Sequence, residues 1–321
     1  KEEIRDPSIL ISMTLGTHYL NLSDDDARKY LQLTQSLVDA VSDERFSRLA
    51  IEAALRKALF IGIGATDEHE SLTFEDRWRI GSEDLIQALR ARPTSFRYFC
   101  PVGPMAASEL PASFGSVTFR TLDEQTINQM YDSPQEYLSK SPLGRTYAAP
   151  PMLISKTLCG APIAEVTVEA VDKDAAKALG LRLVRTTANV LNFLSGHHSQ
   201  PFVGLYVPGD RSVETLHSLL LRESVPHELG ASQGSFKPAA EFSLKVLSAK
   251  HPDAYQQASH LLMCKGELAE RIVSAMQWAG ASVLEPRSEQ GFLLNAIALE
   301  GIILADNDHA ELVNRLATRV A

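Results

Sequence analysis

Residues 267–321 read ELAERIVSAMQWAGASVLEPRSEQGFLLNAIALEGIILADNDHAELVNRLATRVA, and the spacing of their apolar residues predicts three consecutive helices. The first carries one apolar stripe, formed by Leu268, Ile272, Ala275 and Ala279, and is expected to end at Gly280. The second, from Phe292 to Leu304, is apolar at nearly every position, which predicts a helix covered by protein on all sides. The third is expected from about His309 to the end, with its inward face formed by Leu312, Leu316 and Val320.

These three helices contain the segments R-I-x-x-A-x-x-W-A-G-A-S, F-L-L-x-x-I-A-L-E-G-I-I-L and E-L-x-x-R-L-A-T-R-V-A. In this order they resemble the Apea-like branch of the HEPN superfamily, whose helical domains often act as ribonucleases in bacterial defence and toxin systems. The resemblance covers roughly the last quarter of the chain. It implies a HEPN-like helical bundle at the carboxyl end.

The resemblance implies a metal-independent endoribonuclease in anti-phage defence or a toxin system, with RNA, such as tRNA, as the substrate and no cofactor. It also implies a homodimer whose C-terminal bundles face each other across a shared cleft. The catalytic Arg-x(4–6)-His pair of such enzymes is expected after Ala321. The chain begins at Lys1 instead of Met and ends within an amphipathic pattern, so we expect a longer protein.

HEPN folds also serve without catalysis, as dimerisation or nucleotide-binding modules. The alternative function is therefore a sensor or scaffold that binds a protein partner through its N-terminal helices. An Arg-x(4–6)-His pair beyond the last residue would favour the enzyme, and its absence would favour the module.

Glu300 is the one charge within the apolar second helix. A carboxylate in such surroundings is costly to bury unless it is paired, so a basic partner or a cleft is expected beside it. Arg315 and Arg319, one turn apart on the third predicted helix, are the expected partners. Two interpretations stay open: an ion pair that fixes two helices, or a supporting role beside an RNA-phosphate site, which the resemblance favours.

The composition is that of an ordinary water-soluble protein, with 45% hydrophobic and 22% charged residues in 321. No apolar run reaches the length of a membrane span and no leader is visible, so we expect a cytoplasmic protein that does not bind membranes. The three cysteines, Cys100, Cys159 and Cys264, exclude a clustered zinc site or a disulfide framework. The net charge of −9 excludes a surface that grips nucleic acid everywhere, but it permits a local basic site.

The fold class is predicted as mainly α with a small β component (α+β), in three regions: an N-terminal helical region (1–95), a mixed α/β middle region (96–238) and the HEPN-like bundle (239–321). The first region should contain helices from Ser23 to Val41, from Ser42 to Gly62 or Gly64, and from Ser82 to just before Pro93.

The middle region begins with many prolines between Phe96 and Pro151, which indicate a connecting segment with one strand, SVTFRTL. A strand is predicted over Ile163–Val171, and Asp172 should open a helix from Lys173 to Leu194. FVGLYVPGD and SVETLHSLLL are interpreted as two strands joined around Pro208 and Gly209. A loop from Gly230 to Pro238 and a helix from Ala239 to Ala249 should follow.

Two short segments have the Arg-to-His spacing of a HEPN ribonuclease, Arg222 to His227 and Arg211 to His217. In such enzymes the His can act as a base on a ribose hydroxyl and the Arg can stabilise the phosphate. Pro226 would break the helix that this geometry needs. We therefore interpret both as coincidental spacings.

Three other motifs have simple structural interpretations. The G-x-S-x-G pattern at 230–234 would make Ser232 a hydrolase nucleophile, with Asp253 or Asp306 and His260 or His309 to follow, but its flanking residues favour a flexible loop. Gly62 and Gly64 are interpreted as a helix C-cap instead of a dinucleotide site. His197 and His198 are interpreted as a solvated turn instead of metal ligands.

Overall fold

The computed structural model describes residues 11–15, 18–41, 43–64, 71–126, 159–196, 204–207, 218–222, 225–230, 241–285 and 287–303. The chain forms two compact units, one made of Lys1–Thr94 and Glu169–Ala176, the other of Ser95–Val168 and Lys177–Ala321. The fold is mainly helical with a smaller antiparallel β component, which confirms the predicted α+β class. The HEPN likeness of the last region and the three-region division stay predictions.

The first unit consists of one antiparallel hairpin and helices. The hairpin is formed by β1 (Ile11–Leu15) and β2 (His18–Leu22), and the helices are α1 (Asp24–Val41), α2 (Arg48–Gly62) and α3 (Phe74–Leu89). The predicted starts of α2 and α3 were wrong. Ser47 and Thr73 are the N-caps, because their side-chain oxygens accept hydrogen bonds from the amides of Ala50 and Asp76.

Two glycines allow α2 and α3 to pack closely. A Cβ added at Gly81 would lie 2.6 Å from the carbonyl oxygen of Ala58, and one at Gly62 would lie 2.8 Å from the Trp78 ring. Helix α2 ends at Gly62, and Gly64 has a φ of 74°. A left-handed glycine just after a helix is the usual C-cap, so the C-cap interpretation is confirmed.

The second unit contains a six-stranded sheet in the order β4-β5-β6-β3-β7-β8. Its strands are β3 (Thr94–Pro101), β4 (Ala112–Phe114), β5 (Val117–Thr121), β6 (Pro162–Ala170), β7 (Ser218–Arg222) and β8 (Val225–Gly230). The strands predicted over SVTFRTL and over 163–171 are confirmed as β5 and β6. The connecting-segment interpretation, which began at Phe96, is wrong for residues 96–114, because most of β3 and all of β4 lie there.

The sequence also predicted that FVGLYVPGD and SVETLHSLLL pair with each other around Pro208 and Gly209, and this pairing is wrong. Its second half is β7, which pairs with β3 and β8. Of its first half the structure describes residues 204–207, where Tyr206 makes an isolated bridge to Gly103. Short apolar runs carry no information about their partners, so the sequence signal favoured the nearest one.

Helix α4 (Lys173–Gly196) follows Asp172 as predicted and packs against the sheet. A Cβ at Gly180 would lie 2.5 Å from the Tyr98 ring, so the α4 backbone rests directly on that aromatic side chain. The face of the sheet toward α4 carries the fully buried or nearly buried Phe96, Tyr98 and Phe119. The core of the unit lies there.

The carboxyl-terminal part contains α5 (Leu244–Lys250), α6 (Pro252–Leu261), α7 (Glu267–Leu284) and α8 (Ser288–Ile303). Gly280 does not end α7; it lies inside the helix, where a Cβ would come within 1.8 Å of the Asn189 carbonyl oxygen of α4. The helix predicted from His309 lies outside the described residues. No helix in the described ranges has both the length and the apolar character needed to cross a bilayer.

The prediction that the second C-terminal helix is covered on all sides is wrong. In α8 the exposed fractions are 76% for Phe292, 58% for Leu293, 60% for Leu299 and 55% for Ile302. The side of α8 that packs inward carries Gly291 and Ala298, which are buried. Composition alone predicted burial, but small residues face the core and large ones face solvent.

Candidate functional site

Glu300 lies in the last turn of α8 and is half-buried. Its expected partners, Arg315 and Arg319, lie outside the described residues, so their pairing with Glu300 stays a prediction. Within the part of the chain that the structure describes, no salt bridge includes Glu300. The carboxylate is therefore partly solvated at the edge of the helix pair.

Arg271 of α7 supplies a positive charge at the same end of α8. Its Nε donates to the carbonyl oxygen of Gly301 at 3.1 Å, and its Nη2 donates to that of Ile302 at 3.2 Å. Helix C-termini leave carbonyl groups without partners within the helix and carry partial negative charge, so a guanidinium group binds there favourably. Arg271 thus joins the start of α7 to the last turn of α8, the turn that also contains Glu300.

The exposed side of α8 carries three large apolar side chains, with Asn295 between the first and the second. Phe292, Leu299 and Ile302 are spaced seven and three residues apart, which places them on one side of the helix. We call these three side chains the α8 row. Large exposed side chains in such a row usually mark a surface that binds another protein.

A polar bridge joins α7 and α8 beside the α8 row. The Asn295 side-chain amide donates to the carbonyl oxygen of Gly291 at 3.1 Å, and the Ser282 hydroxyl donates to the Asn295 side-chain oxygen at 3.1 Å. The Ser282 hydroxyl shares its one proton between Asn295 and the Ala279 carbonyl oxygen, which lies 2.6 Å away. The α8 row is held in place by a defined α7–α8 packing.

A second charged cluster lies on the sheet face opposite α4. Arg97 of β3 donates from Nε to Glu165 Oε1 at 2.8 Å, and Nη1 of Arg120 on β5 lies 3.1 Å from Glu165 Oε2. The exposed fractions of the side chains are 36% for Arg97, 30% for Arg120 and 15% for Glu165. Two cations therefore share one partly buried carboxylate.

Of the two motifs with Arg-to-His spacing, the structure describes the backbone at the ends of the one from Arg222 to His227. Arg222 ends β7 and His227 lies in β8, where the pairing of the two strands is irregular. The two residues belong to a hairpin, in agreement with the coincidental interpretation. Arg211, His217, Ser232, His197 and His198 lie outside the described residues.

No group of three or more His, Cys, Asp or Glu residues within the described ranges is arranged to hold a metal ion. The cysteines are free, with Cys100 buried, Cys159 exposed and Cys264 between these extremes.

The sequence analysis did not predict the role of Arg271 or the cluster formed by Arg97, Arg120 and Glu165. The alternation of Phe96, Arg97 and Tyr98 is a strand signal that would have placed Arg97 on the face opposite the core. No sequence signal pairs Arg97 with Glu165, because the two residues are 68 positions apart. Comparisons with protein-family models, with curated proteins and with solved structures find no match for this chain.

Proposed function

We propose that this chain is a HEPN-type helical module that pairs with a second copy through the α8 row, and that the paired form is a metal-independent endoribonuclease of bacterial defence or toxin systems. The exposed α8 row supports the pairing. The ribonuclease activity rests on the resemblance of residues 267–321 to Apea-like HEPN domains.

A second copy is the partner that best matches the chemistry of the row. Phe292, Leu299 and Ile302 bear no charge, and Asn295 between them is already hydrogen-bonded inside its own helix pair. Two such rows can bury their apolar surface against each other without leaving a charge unpaired. In a twofold pair the same residues serve both protomers, so one row suffices for a closed dimer.

Burial of these side chains would supply the driving force. A large apolar side chain contributes about 1.5–3 kcal/mol when it moves from water into an apolar environment, and each of the three residues is more than half exposed. Two copies would bury six such side chains, and this gain opposes the entropy lost on association. The expected dimer has its two Glu300 carboxylates and two Arg271 guanidinium groups beside the shared interface.

Sedimentation equilibrium tests the pairing. The wild-type chain should sediment as a dimer, and F292S/L299S should sediment as a monomer with unchanged helical circular dichroism. L49S is the matched control, because Leu49 is 61% exposed on α2 and lies outside the proposed interface. A monomeric wild type, or a dimeric double variant, would overturn the pairing.

Incubation with total RNA and tRNA in the presence of a metal chelator tests the enzyme. The full-length protein should fragment RNA, and fragmentation should be lost in F292S/L299S if the cleft is shared between protomers. Intact RNA together with a stable dimer would reject the ribonuclease and leave the non-catalytic module, a sensor or scaffold, as the function.

A further inference from the structure

Four side chains on the exposed side of α8 follow the spacing of a helix-pairing stripe. The α8 row and Asn295 together occupy positions 292, 295, 299 and 302, so the steps between them are three, four and three residues. Steps that alternate between three and four keep side chains on one narrow stripe of a helix, which suits packing against a second helix. All four residues are exposed. We call these four residues the α8 seam.

Asn295 is the polar member of the α8 seam. Its Nδ2 donates to the Gly291 carbonyl oxygen at 3.1 Å, and its Oδ1 accepts from the Ser282 hydroxyl at 3.1 Å. A side-chain amide has two protons to donate and two lone pairs on its oxygen. Among the hydrogen bonds of the described residues, one proton and one lone pair of Asn295 therefore stay unused, on a side chain that is exposed.

The unused donor and acceptor of Asn295 are complementary to those of a second copy. Two such amides related by a twofold axis can each donate to the oxygen of the other, which makes two reciprocal hydrogen bonds. An apolar surface in the same place would remove water from both groups and supply no replacement, which is costly. The seam therefore fits a second copy of this chain better than an apolar surface of another protein.

A twofold axis at Asn295, perpendicular to the helix, gives an antiparallel pair in which the large side chains interleave. At about 1.5 Å per residue, Phe292 lies about 4.5 Å before Asn295 along α8, and Leu299 lies about 6 Å after it. Phe292 of one copy is then nearly level with Leu299 of the other copy. Ile302 follows one turn later, so each phenyl ring packs between an Ile and a Leu of the other copy.

The charges at the end of α8 also favour the antiparallel direction. The last turn carries Glu300, and the final carbonyl groups of a helix bear partial negative charge. A parallel pair would place these two ends side by side. An antiparallel pair places each of them beside the first turn of the other α8, where the helix dipole is positive.

We infer that two copies of this chain pair with their α8 helices antiparallel and with the twofold axis at Asn295, so that the two Asn295 amides bind each other. This inference rests on the proposed pairing and adds its direction and its register. Asn295 is the residue that determines the register, because a shift of either helix by one turn would bury its amide against an apolar side chain.

Disulfide cross-linking tests the direction, in a C159S/C264S background that removes the two cysteines that are not buried. A tagged F292C chain mixed with untagged L299C should form a mixed disulfide on oxidation. F292C alone should not cross-link, because its two cysteines lie about 9 Å apart along the helix axis and a disulfide needs Cα atoms within about 7 Å. L49C, which lies outside the seam, is the control and should cross-link with neither variant.

Substitution of Asn295 tests the axis in an otherwise unchanged chain. N295D places two carboxylates against each other, so it should weaken the dimer by about tenfold or more in sedimentation equilibrium. N295L is the matched control of similar size. It should pair at least as tightly as the wild type, because it replaces a polar side chain in an apolar seam.

The orientation and the pairing fail on different results. A wild type that stays dimeric while F292C cross-links to itself would overturn the antiparallel direction. A wild-type dimer without a mixed F292C and L299C disulfide, or with an affinity that N295D leaves unchanged, would overturn it as well. A monomeric wild type would instead reject the proposed pairing.

Discussion

Asn192 binds both backbone polar groups of Leu205. Its side-chain amide donates to the Leu205 carbonyl oxygen at 2.9 Å, and its side-chain oxygen accepts from the Leu205 amide at 2.7 Å. Both residues are fully buried, so Asn192 replaces the strand that would otherwise satisfy this backbone.

N192A should destabilise the protein, because it leaves a buried N–H and a buried C=O without partners. Each orphaned group costs about 1–3 kcal/mol, so the two together give an expected loss of roughly 2–6 kcal/mol in the free energy of unfolding. Urea denaturation measures the loss. N295A, at an exposed position of α8, is the control and should cost less than half as much. Equal losses in the two variants would contradict this role of Asn192.

Two helical glycines should respond in opposite directions to alanine. G280A places a Cβ 1.8 Å from the Asn189 carbonyl oxygen, so α7 must move away from α4 at a cost of about 1–3 kcal/mol or more. G301A meets nothing within 4 Å and should stabilise α8 by about 0.5–1 kcal/mol, because alanine favours the helix. Thermal melts of both variants test the packing. A stabilised G280A would show that the two helices are not in close contact.

Asp172 should stabilise the start of α4 and the segment before α2. Its Oδ1 accepts from the amides of Asp174 and Ala175 at 3.0 Å, and its Oδ2 accepts from the amide of Ser47 at 2.8 Å. D172A should cost about 1–2 kcal/mol for the lost cap and a further 1–3 kcal/mol, roughly, for the orphaned Ser47 amide. D172N keeps one side-chain oxygen as an acceptor. It should therefore recover the stability that the helix cap provides, but not the stability lost at the Ser47 amide. Chemical denaturation of both variants separates the two contributions, and equal stability of D172A and wild type would contradict them.

The stability of the protein should fall at high pH through Tyr255. Burial raises the pKa of the Tyr255 phenol above its ordinary value of 10.0. The unfolded chain then loses this proton at a lower pH than the folded protein does. The contribution of the Tyr255 phenol to the free energy of unfolding is therefore fully present below about pH 10. It is lost as the pH rises through the pKa of this phenol in the folded protein.

Y255F removes this dependence and keeps the ring, whose centre lies 4.8 Å from that of Phe114. The difference in unfolding free energy between wild type and Y255F should decrease steadily as the pH rises from about 9 to about 11. Denaturation at a series of pH values provides the measurement. Parallel curves for the two proteins would show that the phenol titrates alike in both states.

Several elements follow from local chemistry, and the sequence alone determined them. Asp172 opens α4 because its carboxylate accepts from amides within the next three residues, and Gly64 follows α2 because glycine adopts a positive φ at little cost. The strands β5 and β6 follow from the alternation of their own side chains. Each of these features depends on interactions between residues that are near in the chain.

Packing between distant segments sets which residues meet across the chain and which side of α8 faces the core. The partnership of Arg97 with Glu165, of Asn192 with Leu205 and of Gly280 with Asn189 depends on packing between distant segments, which no local period encodes. The apolar sequence of α8 predicted burial on every side. The structure instead turns Gly291 and Ala298 inward, because small residues let two helices approach closely, and this packing leaves Phe292 and Leu299 at the surface.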